Sequence, residues 1–211
     1  MKKLIALVLS LLAVASLVAG CSSGKGTTVN SGEKSVTFSL LSSPASLDPA
    51  TTTDGHSLMV ETQLFSMLVE SKGGTSNEIK PDIAESWEIS EDGLTYTFKL
   101  RDDVYFHNGK LLTADDVVYT FNRVMTEPYT SYYAAPIKSV EATDEHTFVA
   151  HLNYPFADFL TLVGGIYFGI CCEEAITAGS DFMYKPVGTG PYKLEGGYIP
   201  GQAFKFVYNV Q

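Results

Sequence analysis

Residues 84–101 read Ala-Glu-Ser-Trp-Glu-Ile-Ser-Glu-Asp-Gly-Leu-Thr-Tyr-Thr-Phe-Lys-Leu-Arg. Apolar and polar residues alternate on both sides of Asp92-Gly93, from Trp87 and Ile89 before the turn to Leu100 after it. An alternation with period 2 on each side of an Asp-Gly turn is typical of a β-hairpin with one buried face. The stretch therefore predicts two paired strands that contribute Trp87, Tyr96 and Phe98 to a core.

A helix is predicted directly after this hairpin. Thr113 and Asp116 have the spacing of a capping box, with Asp in place of the usual Glu, and Leu112 and Val117 occupy the staple positions around it. The apolar stripe of the helix follows at i, i+4 and i+7, ending at Met125: Val117, Phe121 and Val124.

The remaining elements mix strands and helices without regular βαβ alternation. This indicates a mixed α/β fold, either α+β or α/β with a split sheet. The predicted elements are a strand at Val36–Leu40, a helix from Ser57 to Val69 with Thr53 or Asp54 as N-cap, a hairpin from Val140 to Leu152 around residues 143–146, a short helix between Pro155 and Val163, a buried strand at Ile166–Ile170, an acidic first turn at Glu173-Glu174, and a strand pair at Tyr192–Leu194 and Phe204–Tyr208.

The N-terminus has the parts of a secretory signal: basic Lys2 and Lys3, an apolar region from Leu4 to Ala19, and small residues before Cys21. The end of this signal resembles a lipobox, in which Cys21 would be acylated and become the first residue of the mature chain. A retained transmembrane helix is the alternative, but 16 residues fall short of the ~20 that span hydrocarbon. The Gly-, Ser- and Thr-rich residues 22–34 predict a flexible tether with an r.m.s. span of about 20 Å.

Composition excludes several classes of function. Of the 14 basic residues two lie in the signal, which leaves 12 against 24 acidic residues and a net charge of −12. Nucleic acid is therefore not an expected partner, because binding it requires a basic patch. The chain has no Gly-x₄-Gly-Lys phosphate loop, and the residues that follow the tether contain no Gly-x-Ser-x-Gly nucleophile motif, so we predict no enzymatic activity and no cofactor.

The histidines and cysteines favour structural roles. His56, His107, His146 and His151 are not paired at metal-ligand spacing, so no metal site is predicted. Cys171 and Cys172 are adjacent, where a mutual disulfide would be strained, and follow an apolar segment. Buried free thiols are expected there.

The pattern continues after the hairpin, with no insertion or deletion, at Val104, residues 106–109, residues 112–118 and Arg123. Together these residues closely resemble the signature of family 5 solute-binding proteins, the extracytoplasmic receptors of peptide and nickel ABC importers. Ser-Leu-Asp-Pro at residues 46–49, Pro-Val-Gly-Thr-Gly-Pro-Tyr-Lys at 186–193 and Pro-Gly-Gln at 200–202 match further motifs. The resemblance covers essentially Val36 to Gln211.

The resemblance implies a periplasmic-binding-protein-like type II lobe with the insert sub-domain characteristic of family 5. Residues 1–20 would be the lipoprotein signal peptide and residues 21–34 the tether. Residues 35–57 and 181–211 would form part of one sub-domain of lobe I, and residues 58–177 the insert sub-domain. Family members are much longer than this chain, so an N-terminal fragment without the second lobe is expected.

The resemblance also places a candidate ligand site. In relatives the segment just after the Leu-Asp-Pro motif lines the cleft, which here comprises Thr53, Asp54 and Gly55. The alternative for Asp54 is that it only caps the following helix. Tyr132 and Tyr133, in the proline-flanked stretch 128–136, would face the same cleft, and the alternative is that they are surface or core aromatics.

The expected function is that of a lipid-anchored substrate-binding protein of an ABC importer on the extracytoplasmic face of the bacterial membrane. It would bind short peptides or another small solute and deliver them to the permease and ATPase subunits. The alternatives are a non-transport lipoprotein acting as sensor or adhesin, and a secreted peptidase.

Overall fold

The computed structural model describes Thr37 and residues 39–71, 78–179 and 181–210. The predicted signal peptide, Cys21 and the predicted tether lie outside the described residues. The chain divides into two units, residues 1–39 and 40–211, and all the elements below lie in the second. Of the predicted strand Val36–Leu40, Thr37, Ser39 and Leu40 are described, and none of the three is in a strand.

The described residues of the second unit form thirteen short elements, and none of the helices among them has the length and apolarity to cross a membrane. In chain order they are α1 (Gly55–Leu64), β1 (Val69–Ser71), β2 (Ile79–Pro81), β3 (Ala84–Ile89), β4 (Thr95–Leu100), α2 (Ala114–Thr126), β5 (Ile137–Asp144), β6 (Thr147–Leu152), α3 (Phe159–Val163), a 3₁₀ helix (Ile166–Phe168), α4 (Glu173–Thr177), β7 (Tyr192–Glu195) and β8 (Lys205–Tyr208).

The central sheet has four antiparallel strands in the order β3-β4-β6-β5. Both predicted hairpins are confirmed, with Trp87 opposite Phe98 in the first and Ala142 opposite Phe148 in the second. At the first turn Gly93 has φ +68°, a conformation that favours glycine, which explains why Asp-Gly is found there. The last strand pair, β7 and β8, is also confirmed and forms a separate two-stranded sheet.

Helix α2 begins as its capping box predicts, since the Thr113 N–H donates to Asp116 Oδ2 at 3.1 Å. The stripe Val117, Phe121 and Val124 is fully buried. The Phe121 ring packs at 4.7 Å from Phe148 of the sheet and at 4.9 Å from Phe168 of the 3₁₀ helix. The helix therefore covers the inner face of the sheet and closes the larger hydrophobic core.

Two predicted elements are wrong in extent or type. Helix α1 ends at Leu64, not at Val69, because the chain turns extended at Phe65 and Val69 pairs with Pro81 in a strand. The predicted strand at 166–170 is a 3₁₀ helix over Ile166–Phe168 followed by two residues without regular structure, although Phe168 and Ile170 are fully buried as expected. A short apolar run predicts burial well but does not distinguish a strand from a helical turn.

A smaller hydrophobic cluster lies around α1 and draws on distant parts of the unit. Its buried members are Leu47, Val60, Leu64, Phe65, Cys171, Phe182 and Tyr198. Cys171 and Cys172 are both buried and free, as predicted. Burial raises the pKa of the Cys171 thiol well above its ordinary value, which keeps this thiol protonated and unreactive.

The segment 188–190 packs against the end of α1 and leaves no room for a side chain at Gly188 or Gly190. A Cβ on Gly188 would lie 2.2 Å from the Leu64 carbonyl oxygen, and one on Gly190 would lie 2.5 Å from the Leu64 carbonyl carbon. We expect Gly188→Ala to lower the free energy of unfolding by about 1–3 kcal/mol, because backbone must shift to relieve the clash. Urea unfolding measures this loss. Gly55→Ala is the control, since nothing lies within 4 Å of its Cβ position, and an equal loss in both variants would contradict the argument.

Candidate functional site

Asp54 lies at the start of α1 and caps it. Asp54 Oδ1 accepts hydrogen bonds from the backbone N–H groups of His56 (3.2 Å) and Ser57 (3.0 Å). Asp54 Oδ2 accepts from Thr52 Oγ1 at 2.8 Å and from the Ser57 hydroxyl. Burial opposes ionisation, but the bonds from Ser57 and Thr52 outweigh it and lower the pKa of Asp54 to about 2. The N-cap prediction is confirmed for Asp54, and both of its oxygens have partners within the chain.

The residues on either side of Asp54 are open to solvent. Thr53 and Gly55 are exposed, and no atom lies within 4 Å of the position that a Gly55 Cβ would take. The glycine is therefore not required by packing among the described residues. Backbone at this point is accessible to a ligand that approaches closely.

Long-range bonds join this loop to the segment of the predicted tyrosines. The buried Thr130 hydroxyl donates to the Ala50 carbonyl oxygen at 3.0 Å. Arg123, near the end of α2, donates from both terminal nitrogens to the two carboxylate oxygens of Asp48, at 3.0 and 2.7 Å. These bonds connect the loop that leads to Asp54 with the end of α2 and the residues after it, which are the two segments that carry the predicted site residues.

Tyr132 and Tyr133 form a stack that sequence reasoning only half identified. Their ring centroids lie 4.0 Å apart, and Tyr133 stacks on Tyr167 of the 3₁₀ helix at 4.1 Å. Tyr132 is 61% exposed at the outer end of the stack. Tyr167 was not predicted as a site residue, because its segment was predicted to be a buried strand. The stack presents one aromatic ring to solvent on a rigid support.

Glu61 is a second residue that the sequence analysis missed. Its side chain is fully buried on α1, one turn after Ser57, and neither carboxyl oxygen has a hydrogen-bond partner among the described residues. Burial first, then the nearby charges of Asp48 and Asp54, raise the pKa of Glu61 to about 9. Its only sequence signal is its position at i+4 from Ser57 on the face that also carries Leu64. The carboxyl is protonated at neutral pH.

The rings of three histidines bond to protein groups, whereas the buried Nδ1 of His146 has no hydrogen-bond partner among the described residues. His56 Nδ1 lies 2.9 Å from Ser42 Oγ, His151 Nε2 lies 3.0 Å from Glu141 Oε1, and His107 Nε2 lies 3.1 Å from the Gly190 carbonyl oxygen. Within residues 39–71, 78–179 and 181–210 no group of three or more His, Cys, Asp or Glu side chains is arranged to hold a metal ion.

Removing the Asp54 cap gives a direct test of its structural role. We expect Asp54→Ala to lower the free energy of unfolding at pH 7 by about 1–2 kcal/mol, because α1 loses acceptors for two backbone N–H groups. The folded pKa lies below the ordinary 3.8, so this stabilisation is present above pH 3.8 and disappears as the pH falls through about 2. Chemical denaturation at pH 7 and pH 2 measures both effects. Asp54→Asn, which keeps a capping side chain, should lose less at pH 7; a loss equal to that of Asp54→Ala would refute the capping role.

Comparisons with known proteins identify the fold. The profile of the family described as "Bacterial extracellular solute-binding proteins, family 5 Middle" matches residues 78–211. Heme-binding protein A of Haemophilus influenzae is 37% identical over 191 residues, which cover 78% of this chain and 35% of that protein. Di/tripeptide-binding protein 1 of Pseudomonas aeruginosa is 33% identical, with 71% of this chain and 33% of that protein covered. The chain thus spans about a third of the length of these relatives.

A solved structure agrees with these sequence matches. The ABC transporter-associated periplasmic binding protein DppA of Helicobacter pylori, in complex with the peptide STSA, superposes with a TM-score of 0.70 at 33% identity, over 80% of this chain and 38% of that one. The mixed α/β architecture is that of type II periplasmic binding proteins. The chain belongs to the family 5 bacterial extracellular solute-binding proteins.

Proposed function

We propose that this chain is the substrate-binding lipoprotein of an ABC importer, that it binds short peptides or another small solute, and that it delivers them to a membrane permease and its ATPase. The observation that carries the proposal is the superposition on a peptide-bound binding protein at 33% identity. Relatives with names that refer to di- and tripeptides support the peptide class. We propose no catalytic step, since the family consists of solute-binding proteins.

The two hydrophobic clusters support a division of the chain into sub-domains. Residues 35–57 and 181–211 would form one sub-domain around the smaller cluster, which contains Leu47, Phe182 and Tyr198. Residues 58–177 would form the insert around the larger cluster, in which α2 covers the sheet. Helix α1 and Cys171 cross this division, because Val60, Leu64 and Cys171 fall within residues 58–177 but pack into the smaller cluster.

We place the ligand against Thr53, Asp54, Gly55, Tyr132 and Tyr133. Each oxygen of Asp54 already accepts two bonds within the chain, so its contribution is to hold the loop in shape. The exposed backbone at Thr53 and Gly55 suits hydrogen bonds to an extended peptide, which gives affinity with little side-chain selectivity. The open face of Tyr132 suits contact with apolar parts of the ligand.

Photo-crosslinking tests this placement even when binding is weak. We expect weak binding, because the chain spans about a third of its two-lobed relatives. A photoreactive tripeptide should label residues 53–55 and 132–133, and unlabelled tripeptide should compete. Tyr132→Ala should reduce the labelling, whereas Tyr154→Ala, a control at another exposed tyrosine, should not. Uncompeted labelling across the surface would refute the site, and cleavage of the peptide would favour the peptidase alternative.

Lipid attachment is tested separately. In bacteria grown with labelled palmitate, the wild-type protein should incorporate the label into the membrane fraction, and Cys21→Ser should not. Mass spectrometry that finds an unprocessed N-terminus in wild-type protein would refute the lipoprotein assignment. This assay is independent of ligand binding, so the two parts of the proposal fail separately.

A further inference from the structure

His107 makes three hydrogen bonds to one short segment of chain. Its backbone N–H donates to the Gly188 carbonyl oxygen at 2.9 Å. On the side chain, Nδ1 accepts from the Gly188 N–H at 3.4 Å, and Nε2 lies 3.1 Å from the Gly190 carbonyl oxygen. The ring therefore spans the segment 188–190 with an acceptor at one end and a donor at the other.

These partners select one protonation state of the imidazole. The Gly190 carbonyl only accepts, so Nε2 must carry a proton, and the Gly188 N–H only donates, so Nδ1 must be free of one. The neutral Nε2–H tautomer satisfies both bonds. A second proton, on Nδ1, would face the Gly188 N–H and replace an attraction with a repulsion.

The segment that His107 holds is tightly packed on its other side. The Gly190 N–H donates to the Leu64 carbonyl oxygen at 2.9 Å, and a Cβ at Gly188 or Gly190 would overlap backbone at the end of α1. His107 follows Phe106, which is fully buried in the larger core. Through these bonds the imidazole holds the segment 188–190, which precedes β7, against the C-terminal end of α1.

We infer that His107 is a pH-sensitive latch, which holds the segment 188–190 on α1 when its ring is neutral and releases it when the ring is protonated. This goes beyond the proposed transport function, because it requires no ligand. Lys193 on β7 is the charged side chain that faces His107, and its ammonium group further disfavours an imidazolium. Burial and this charge lower the pKa of His107 below its ordinary 6.5, although the bond to Gly190 opposes the shift.

The sign of the effect follows from this shift. His107 takes up a proton more readily when the chain is unfolded or the segment 188–190 is released than when the segment is held. The latch is therefore at full strength above pH 6.5 and weakens as the pH falls below it. Between 6.5 and the folded pKa the population of the released state rises by up to about tenfold per pH unit.

Hydrogen exchange of the whole chain tests the latch. The protection factor of the Gly190 amide should fall between pH 7.5 and pH 5, while amides of the β3–β4 hairpin keep theirs. His107→Gln, which offers an acceptor and a donor but does not titrate, should make Gly190 protection independent of pH. His151→Gln, at a half-buried histidine on β6, is the control and should leave the wild-type pH dependence in place.

A measurement on wild-type protein covers the case in which His107→Gln does not fold. Nitrogen NMR of the ring should show the Nε2–H tautomer at pH 7.5 and a titration midpoint below 6.5. An Nδ1–H tautomer, a midpoint at or above 6.5, or Gly190 protection that is unchanged down to pH 5 would each overturn the inference.

Discussion

Replacing Glu61 with glutamine is expected to abolish a loss of stability that the wild type shows between pH 4.5 and about 9. In the folded state the buried carboxyl keeps its proton up to about pH 9, whereas in the unfolded chain it ionises at about 4.5. Its contribution is therefore complete below pH 4.5 and is lost as the pH rises to about 9. Since one pKa unit corresponds to about 1.4 kcal/mol, stability should fall by about 6 kcal/mol across this range. That loss is comparable to the whole stability of many domains.

The measurement is the free energy of unfolding from urea titrations at intervals between pH 4.5 and 9.5. Glu61→Gln has no ionisable group at this position and should hold its stability where the wild type declines. Glu85→Gln, at an exposed glutamate on β3, is the matched control and should follow the wild-type profile. A Glu61→Gln profile parallel to that of the wild type would show that the carboxyl is not forced to keep its proton.

Arg123→Met is expected to lower the free energy of unfolding by about 3–5 kcal/mol. The guanidinium makes a bidentate ion pair with Asp48. Both side chains are mostly buried, since 14% of the Arg123 side chain and 7% of the Asp48 side chain are exposed. Without Arg123, the carboxylate of Asp48 would remain in the interior without its cation, beside Glu61. The variant should also loosen the junction between the loop 46–55 and the end of α2.

Two companion variants separate the buried pair from charge effects in general. Arg101→Met removes an exposed ion pair with Asp103 at a similar distance of 2.9 Å, and should cost less than about 1 kcal/mol. The double variant Arg123→Met with Asp48→Asn leaves no buried charge and should be more stable than Arg123→Met alone. Equal losses of unfolding free energy in Arg123→Met and Arg101→Met would contradict this expectation. A double variant that is less stable than Arg123→Met alone would contradict it as well.

Sequence patterns located most of the regular structure, and they did so where the signals are local. The Asp92-Gly93 turn, the Thr113–Asp116 capping box and the Asp54 N-cap each depend on residues at most a few positions apart. The errors came where a distant segment decides the outcome. The end of α1 is set by Gly190, whose amide bonds to Leu64 across more than a hundred residues of chain.

The candidate site shows the same division. Sequence reasoning by resemblance selected Thr53 to Gly55 and Tyr132 with Tyr133, and it correctly kept the capping role of Asp54 open. It missed Tyr167, because the pairing of Tyr133 with a ring 34 positions later has no local signal. It missed Glu61 for a related reason, since an isolated glutamate in a helix is ordinarily read as a solvent-facing residue.

The amino-acid sequence alone was sufficient to predict the hairpins, the helix caps, the apolar stripe of α2 and the family to which the chain belongs. Alternation, turn chemistry and caps act through neighbouring backbone groups, so their outcome is already encoded in short stretches. The packing of distant elements, by contrast, places Arg123 against Asp48 and His107 against Gly188 and Gly190, and it buries the Glu61 carboxyl with no hydrogen-bond partner among the described residues. These contacts depend on which surfaces the packed elements bring together, and burial then sets the charge state of each group.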